Sequence, residues 1–232
     1  MKFRTLLYAA ALFSTSFFAT AALAGPPLLC HTFAIGDAKS LPWTSNGWDI
    51  SPADSSYDTK NLSADTLAIL NADPTVLVHM ETLRRAALYT QKDSRAAKQL
   101  LLKLIARAES AGQATSAGAL ALFDEGYFAA TLGELHWIKK DFDNPAQALN
   151  AYAMIQKSLE LRPNDGQLNF AAALVTLDGP VSDQREYAQK AIAFAPSDPL
   201  LARNLAAHFM SPQSETMSQM INRNSATKVA HQ

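Results

Sequence analysis

Beyond position 73 apolar residues recur every three or four positions, whereas before about Asp65 they follow neither a helical nor a strand period. Val76, Leu77, Met80, Leu83, Ala87 and Leu88 predict a first helix, opened by Asp73 as cap with Pro74 at the first helical position and ending near Gln91. After a tight turn at Lys92-Asp93, the face Leu101, Leu104, Ile105 and Ala108 predicts a second helix to about Ala111, stopped by a left-handed Gly112. So short a turn sets the two helices antiparallel. A third helix is expected over 116–140, where Gly126, Ala130 and Gly133 offer small positions for a close neighbour. A fourth opens at Asn144-Pro145 and runs to Leu161, a fifth runs from Asp165 to Leu177, a sixth spans 182–194, and Asp198-Pro199 opens a seventh. No strand pattern follows Asp65, so the fold class read from the pattern is all-α, built of antiparallel helix pairs.

The segment 25–65 reads as an irregular amino-terminal arm. Pro26-Pro27, Leu41-Pro42 and Ser51-Pro52 each bias the preceding residue away from the helical region. The same segment carries Leu28, Leu29, Phe33, Ile35, Leu41, Trp43 and Trp48, more large apolar groups than a disordered linker would hold, so the arm is expected to pack on the body. A helical domain at 66–210 and a polar tail at 211–232 complete the expected organisation.

Pro163 and Pro196 each follow a helix, and each has an aspartate two positions on that can cap the next one, 33 residues apart. With Ala151, Ile155 and Ser158 before Pro163, then Leu168, Ala171, Ala172 and Val175, and Ala188 and Ala191 before Pro196, the stretch from Leu135 to Phe209 resembles degenerate tetratricopeptide repeats. Lys139 and Gln184 depart from the family pattern, and the period is one short of the usual ~34. The pair from Pro74 to Ala111 is a candidate third unit, with Ala86, Tyr89, Leu102 and Ile105 in place and Lys98 where alanine is expected. The resemblance implies a short right-handed solenoid of stacked helix pairs that binds a protein or peptide partner. The run from Leu28 to Trp43 resembles the amino-terminal arm of uncharacterised exported bacterial proteins, which implies no activity.

The amino terminus adds a compartment. Lys2 and Arg4 precede an apolar stretch from Leu6 to Phe18, interrupted at Ser14-Thr15-Ser16, and Ala22-Leu23-Ala24 offers a small-x-small cleavage pattern. Residues 1–24 therefore read as a secretory signal cleaved after Ala24, and the mature chain is expected in the periplasm or secreted. No stable membrane span is expected in it. Cleavage before Cys30 would instead make a lipoprotein, although Leu29 is large for that processing.

Charge and chemistry narrow the function. Twenty basic residues against 21 acidic ones give a net charge of −1 and no basic run, which disfavours nucleic acid. Cys30 is the only cysteine, so no internal disulfide is available and no CxxC or CxxCH motif exists. Neither HExxH nor an i, i+4 histidine pair suggests a metal, and GxSxG, a phosphate loop and GxGxxG are also missing; no cofactor is expected and a motif-bearing enzyme is not.

Candidate binding residues are Asp37, Lys39, Trp43 and Trp48 on the arm, and Glu81, Arg84 and Arg85, which share one helix face at i, i+3 and i+4. Arginines there suit a carboxylate ligand or a salt bridge; the tryptophans suit a binding mouth or a staple for the arm. The alternative is a thiol-dependent enzyme or redox-responsive protein centred on Cys30. Because adjacent extended residues point to opposite sides, Cys30 would need His79 or His136 rather than His31 as its imidazole.

Overall fold

The computed structural model describes residues 26–44, 50, 54, 56–112, 115–176 and 181–209. The signal segment, Trp48 and the tail 211–232 lie outside them. The described residues form eight α-helices and no strand: Leu62–Ala72 (α1), Val76–Tyr89 (α2), Ser94–Ser110 (α3), Ser116–Ile138 (α4), Ala151–Leu161 (α5), Gly166–Val175 (α6), Val181–Phe194 (α7) and Pro199–Phe209 (α8). Short 3-10 turns precede α1 at Thr59–Asn61 and α8 at Ala195–Ser197. No helix among the described residues is long and apolar enough to cross a membrane.

Local chemistry explains most of the boundaries. Asp93 accepts from the backbone N–H groups of Arg95 and Ala96 at the start of α3, Thr115 from Gly118 at α4, and Asp165 from Leu168 at α6. Gly112 takes φ +77° just past α3, the left-handed conformation expected of it. Two starts fall later than the sequence suggests, for one shared reason. Asp73 accepts from Thr75 N at 2.8 Å and Asn144 from Ala146 N at 2.9 Å, so each closes a tight turn onto its own backbone instead of capping a helix. Helix α2 consequently begins at Val76 behind an extended Thr75, and α5 begins at Ala151, capped by Asn150.

Helix α1 was not anticipated, and it straddles the boundary expected between arm and helical domain. Its buried stripe is Leu62, Thr66 and Leu70, and the central threonine interrupts the apolar signal. It packs against both α2 and α3, which approach each other less closely than either approaches α1. Helices α2 and α3, joined by the short turn at residues 90–93, thus meet chiefly through α1. Elsewhere α3 packs on α4, α4 on α5 and α6 on α7, while α2, α4, α6 and α8 also meet in succession.

Gly126 is the small position that matters in α4: a Cβ there would lie 2.8 Å from Met154 Cβ and 3.0 Å from the Ala151 carbonyl, so α5 sits against bare backbone. Gly133 faces nothing within 4 Å and serves no such contact. The core runs continuously through Leu77, Met80, Phe123, Phe128, Leu132, Ile155, Phe170 and Leu201, and it also takes in Leu28, Leu29, Phe33 and Leu41 from the arm. Burying each of those arm side chains is worth about 1.5–3 kcal/mol before the entropy of ordering.

Candidate functional site

Residues 28–43 of the arm meet alternate helices, α2, α4, α6 and α8. After a turn in which Leu29 and Cys30 donate to the Pro26 carbonyl, the arm runs without helix or strand over residues 32–35. Its backbone is satisfied by side chains of the helical body. Glu134 on α4 accepts from Leu28 N at 2.9 Å, Arg84 on α2 donates to the Leu29 carbonyl at 3.0 Å, and Glu81 accepts from Phe33 N at 3.0 Å. Asn204 on α8 grips both sides of one residue, accepting from Ala34 N at 2.8 Å and donating to the Ala34 carbonyl at 2.9 Å. Further along, Arg85 donates to the Leu41 carbonyl and Tyr89 to the Pro42 carbonyl, while Ser40 and Thr82 hydroxyls meet at 3.0 Å.

Main-chain groups of an irregular segment need partners when buried, because an unmade hydrogen bond costs about 1–3 kcal/mol. Here the partners come from side chains spread over three helices, with α6 adding Phe170 edge-on to Phe33 at 6.1 Å between ring centres. Phe33 also stacks on His208 at 4.7 Å, with the ring planes 2° apart.

The centre of this grip is the expected trio Glu81, Arg84 and Arg85. Glu81 is fully buried and accepts two hydrogen bonds from Arg84, at 2.8 and 3.0 Å, and one from Arg85 at 2.6 Å, besides that from Phe33 N. Arg84 is fully buried as well. The two guanidinium groups are thus committed to Glu81 and to arm carbonyls, and the cluster sits beneath the arm rather than open to a ligand. Trp43 lies over Arg84, whose guanidinium carbon is 5.0 Å from the ring centre, and edge-on to Tyr89. Its buried indole N–H has no acceptor among the described residues. Asp37 and Lys39 are exposed.

Cys30 is half-buried, and burial followed by the Glu134 carboxylate pushes its thiol up, against a lesser opposing pull from Arg84. That is the opposite of what an activated nucleophile needs. The two histidines considered as its partners are engaged elsewhere. His136 Nδ1 meets the Phe142 carbonyl at 2.7 Å, and His79 is fully buried with Nδ1 2.6 Å from Asp124 Oδ1 and Nε2 2.6 Å from the Asp73 carbonyl.

Both His79 neighbours are acceptors, so both ring nitrogens carry protons and the imidazole is held as a cation. Burial opposes that charge, but the Asp124 carboxylate, its hydrogen bond and the Asp73 carbonyl outweigh burial and raise the His79 pKa, with Arg107 opposing them. Arg107 also donates to Asp124 and to the Leu70 carbonyl, tying α3 and α4 to the end of α1. His208 behaves oppositely: burial takes it down to about 4, only partly countered by the Asn204 carbonyl that faces its Nδ1, while His31 and Arg84 add to the fall.

Glu134 and Asn204 are contributors that the sequence did not single out, Tyr89 was read only as a repeat position, and His208 was not read as part of the site. Asn204 and His208 carry an i, i+4 spacing on one face of α8, which is the signal that could have found them. Among the described residues no group of three His, Cys, Asp or Glu side chains could hold a metal ion. Comparison of the chain with protein families, with curated proteins and with solved structures returns no match.

Proposed function

We propose that this is a helical-repeat interaction module of the bacterial envelope, exported through residues 1–24, that holds an extended segment of a partner protein along the face lined by α2, α4, α6 and α8. In this reading the helices form a short tetratricopeptide-like right-handed solenoid, and its inner face is the one the arm covers. The observation that carries the reading is the Asn204 grip on both the N–H and the carbonyl of Ala34, joined by Glu81, Arg84 and Glu134. Side chains that read main-chain groups recognise an extended segment whatever its residues, and apolar sockets such as the one around Phe33 supply the selection. The arm is then the resident occupant. The raised thiol of Cys30 lends no support to the thiol-dependent alternative.

The test uses the mature chain with Phe33→Asp, which weakens arm docking, and a fluorescent peptide of residues 26–44. Saturable binding by the folded variant, little binding by the parent whose face is occupied, and loss of binding on adding Asn204→Ala are expected. A folded Phe33→Asp chain that ignores the peptide would remove the basis for a transferable binding face.

A further inference from the structure

A second concavity lies between α3, α4 and α5 and touches no arm residue. It measures about 370 Å³, and its walls include Ala108, Glu109, Leu122, Glu125, Met154 and Lys157. Glu125 is 7% exposed, yet its carboxylate makes no hydrogen bond or ion pair among the described residues. The other buried carboxylates among the described residues are satisfied: Glu81 on α2 by two arginines and a backbone N–H, Asp124 on α4 by His79 and Arg107. Glu109, on the facing helix, adds a second negative charge, and burial followed by that charge raises the Glu125 pKa. Lys157, which also lines the cleft, pairs with Glu160 at 2.9 Å.

A largely buried carboxylate without a protein partner, facing a mostly apolar cleft, favours an occupant with N–H donors and positive charge. Two carboxylates fall short of a metal site, since no third ligand of the usual kinds joins them among the described residues. Leu122, Ala153 and Met154 supply the apolar part of the remaining wall, and Asn150, whose Oδ1 accepts from Ala153 N, and Lys157 complete it. An occupant must therefore present a cationic head to Glu125 and Glu109 and an apolar body to Leu122, Ala108 and Met154. The volume lies at the low end for small-molecule sites.

We propose that the α3–α4–α5 cleft is a binding site for a small aliphatic ammonium compound, its head on Glu125 and Glu109 and its chain along Leu122 and Met154. This site is independent of the face covered by the arm, and either can fail without the other.

Calorimetric titration of the mature protein at neutral pH with hexylamine, 1-hexanol and hexanoate tests it. Hexylammonium should bind saturably, hexanol at least tenfold more weakly, and hexanoate not at all. Glu125→Gln should weaken hexylammonium about tenfold, the value of one charge-assisted hydrogen bond. Glu109→Gln, at an exposed position that leaves folding intact, should weaken it about threefold and keeps the test decisive should Glu125→Gln fail to fold. Equal binding of hexanol, unchanged affinity in both variants, or no saturation by any of the three compounds overturns the proposal.

Discussion

Replacing Glu81 by glutamine changes one atom type at the centre of the arm's attachment. The carboxylate accepts four hydrogen bonds, three of them from guanidinium groups and one from Phe33 N. A glutamine has one acceptor oxygen; its NH2 group would face donors. Two guanidinium groups, one of them fully buried, would lose their counter-charge, and breaking a buried pair in this way costs about 3–5 kcal/mol. That is a large share of the ~5–15 kcal/mol by which a domain is stable. Urea unfolding followed by circular dichroism measures the loss. Trypsin reads the arm separately, because Lys39 is exposed between the buried Phe33 and Leu41, and cleavage after it should accelerate in Glu81→Gln. Adding Arg84→Met should recover part of the stability by removing the stranded charge. A Glu81→Gln protein within 1 kcal/mol of the parent, with unchanged cleavage after Lys39, would show that the cluster does not hold the arm.

Asn204→Leu keeps the size of the side chain but removes both bonds to Ala34, and it should cost about 1–3 kcal/mol while speeding cleavage after Lys39; unchanged proteolysis would argue against the two-sided grip. The buried histidines give stability opposite pH dependences. His79 is raised in the folded state, so its contribution is full below the unfolded value near 6.5 and is lost as pH climbs through the raised value; Asp124→Asn should abolish that alkaline slope in urea midpoints. His208 is lowered to about 4, so the folded state loses about 3 kcal/mol of stability as pH falls from the unfolded value towards 4, and His208→Phe should flatten that acid limb. Gly126→Ala gains about 1 kcal/mol of helix propensity, but its methyl would lie 2.8 Å from Met154 Cβ and 3.0 Å from a backbone carbonyl. A net loss of about 1–3 kcal/mol is expected, and a rise in melting temperature would contradict the close packing of α4 and α5.

Helical class and most helix ends were legible because they depend on local signals: the turn at Lys92-Asp93, the Asp165 cap and the left-handed Gly112 act within a few residues of themselves. Two starts were misread because aspartate and asparagine satisfy a turn as readily as a helix, and the spacing of Asp73-Pro74 and Asn144-Pro145 does not separate the outcomes. Helix α1 was hidden by Thr66 within its buried stripe. At the candidate site the i, i+3, i+4 spacing of Glu81, Arg84 and Arg85 was visible, but their burial was not, since the arm that covers them lies 40 or more positions away. The partnership of His79 with Asp124, 45 residues apart, left no periodic trace at all.

The grip on the arm also sets an order of events in time. Leu28 meets a residue 106 positions later and Ala34 one 170 positions later, so the first described segment is fastened by the last described helix. Contacts of such long separation close late, because the entropy of the intervening loop must be spent before they form. A growing chain therefore leaves Phe33 and Ala34 without their partners His208 and Asn204 until α8 has been made. Folding ends where synthesis begins, and the completed molecule is one in which the two ends of the described chain vouch for each other.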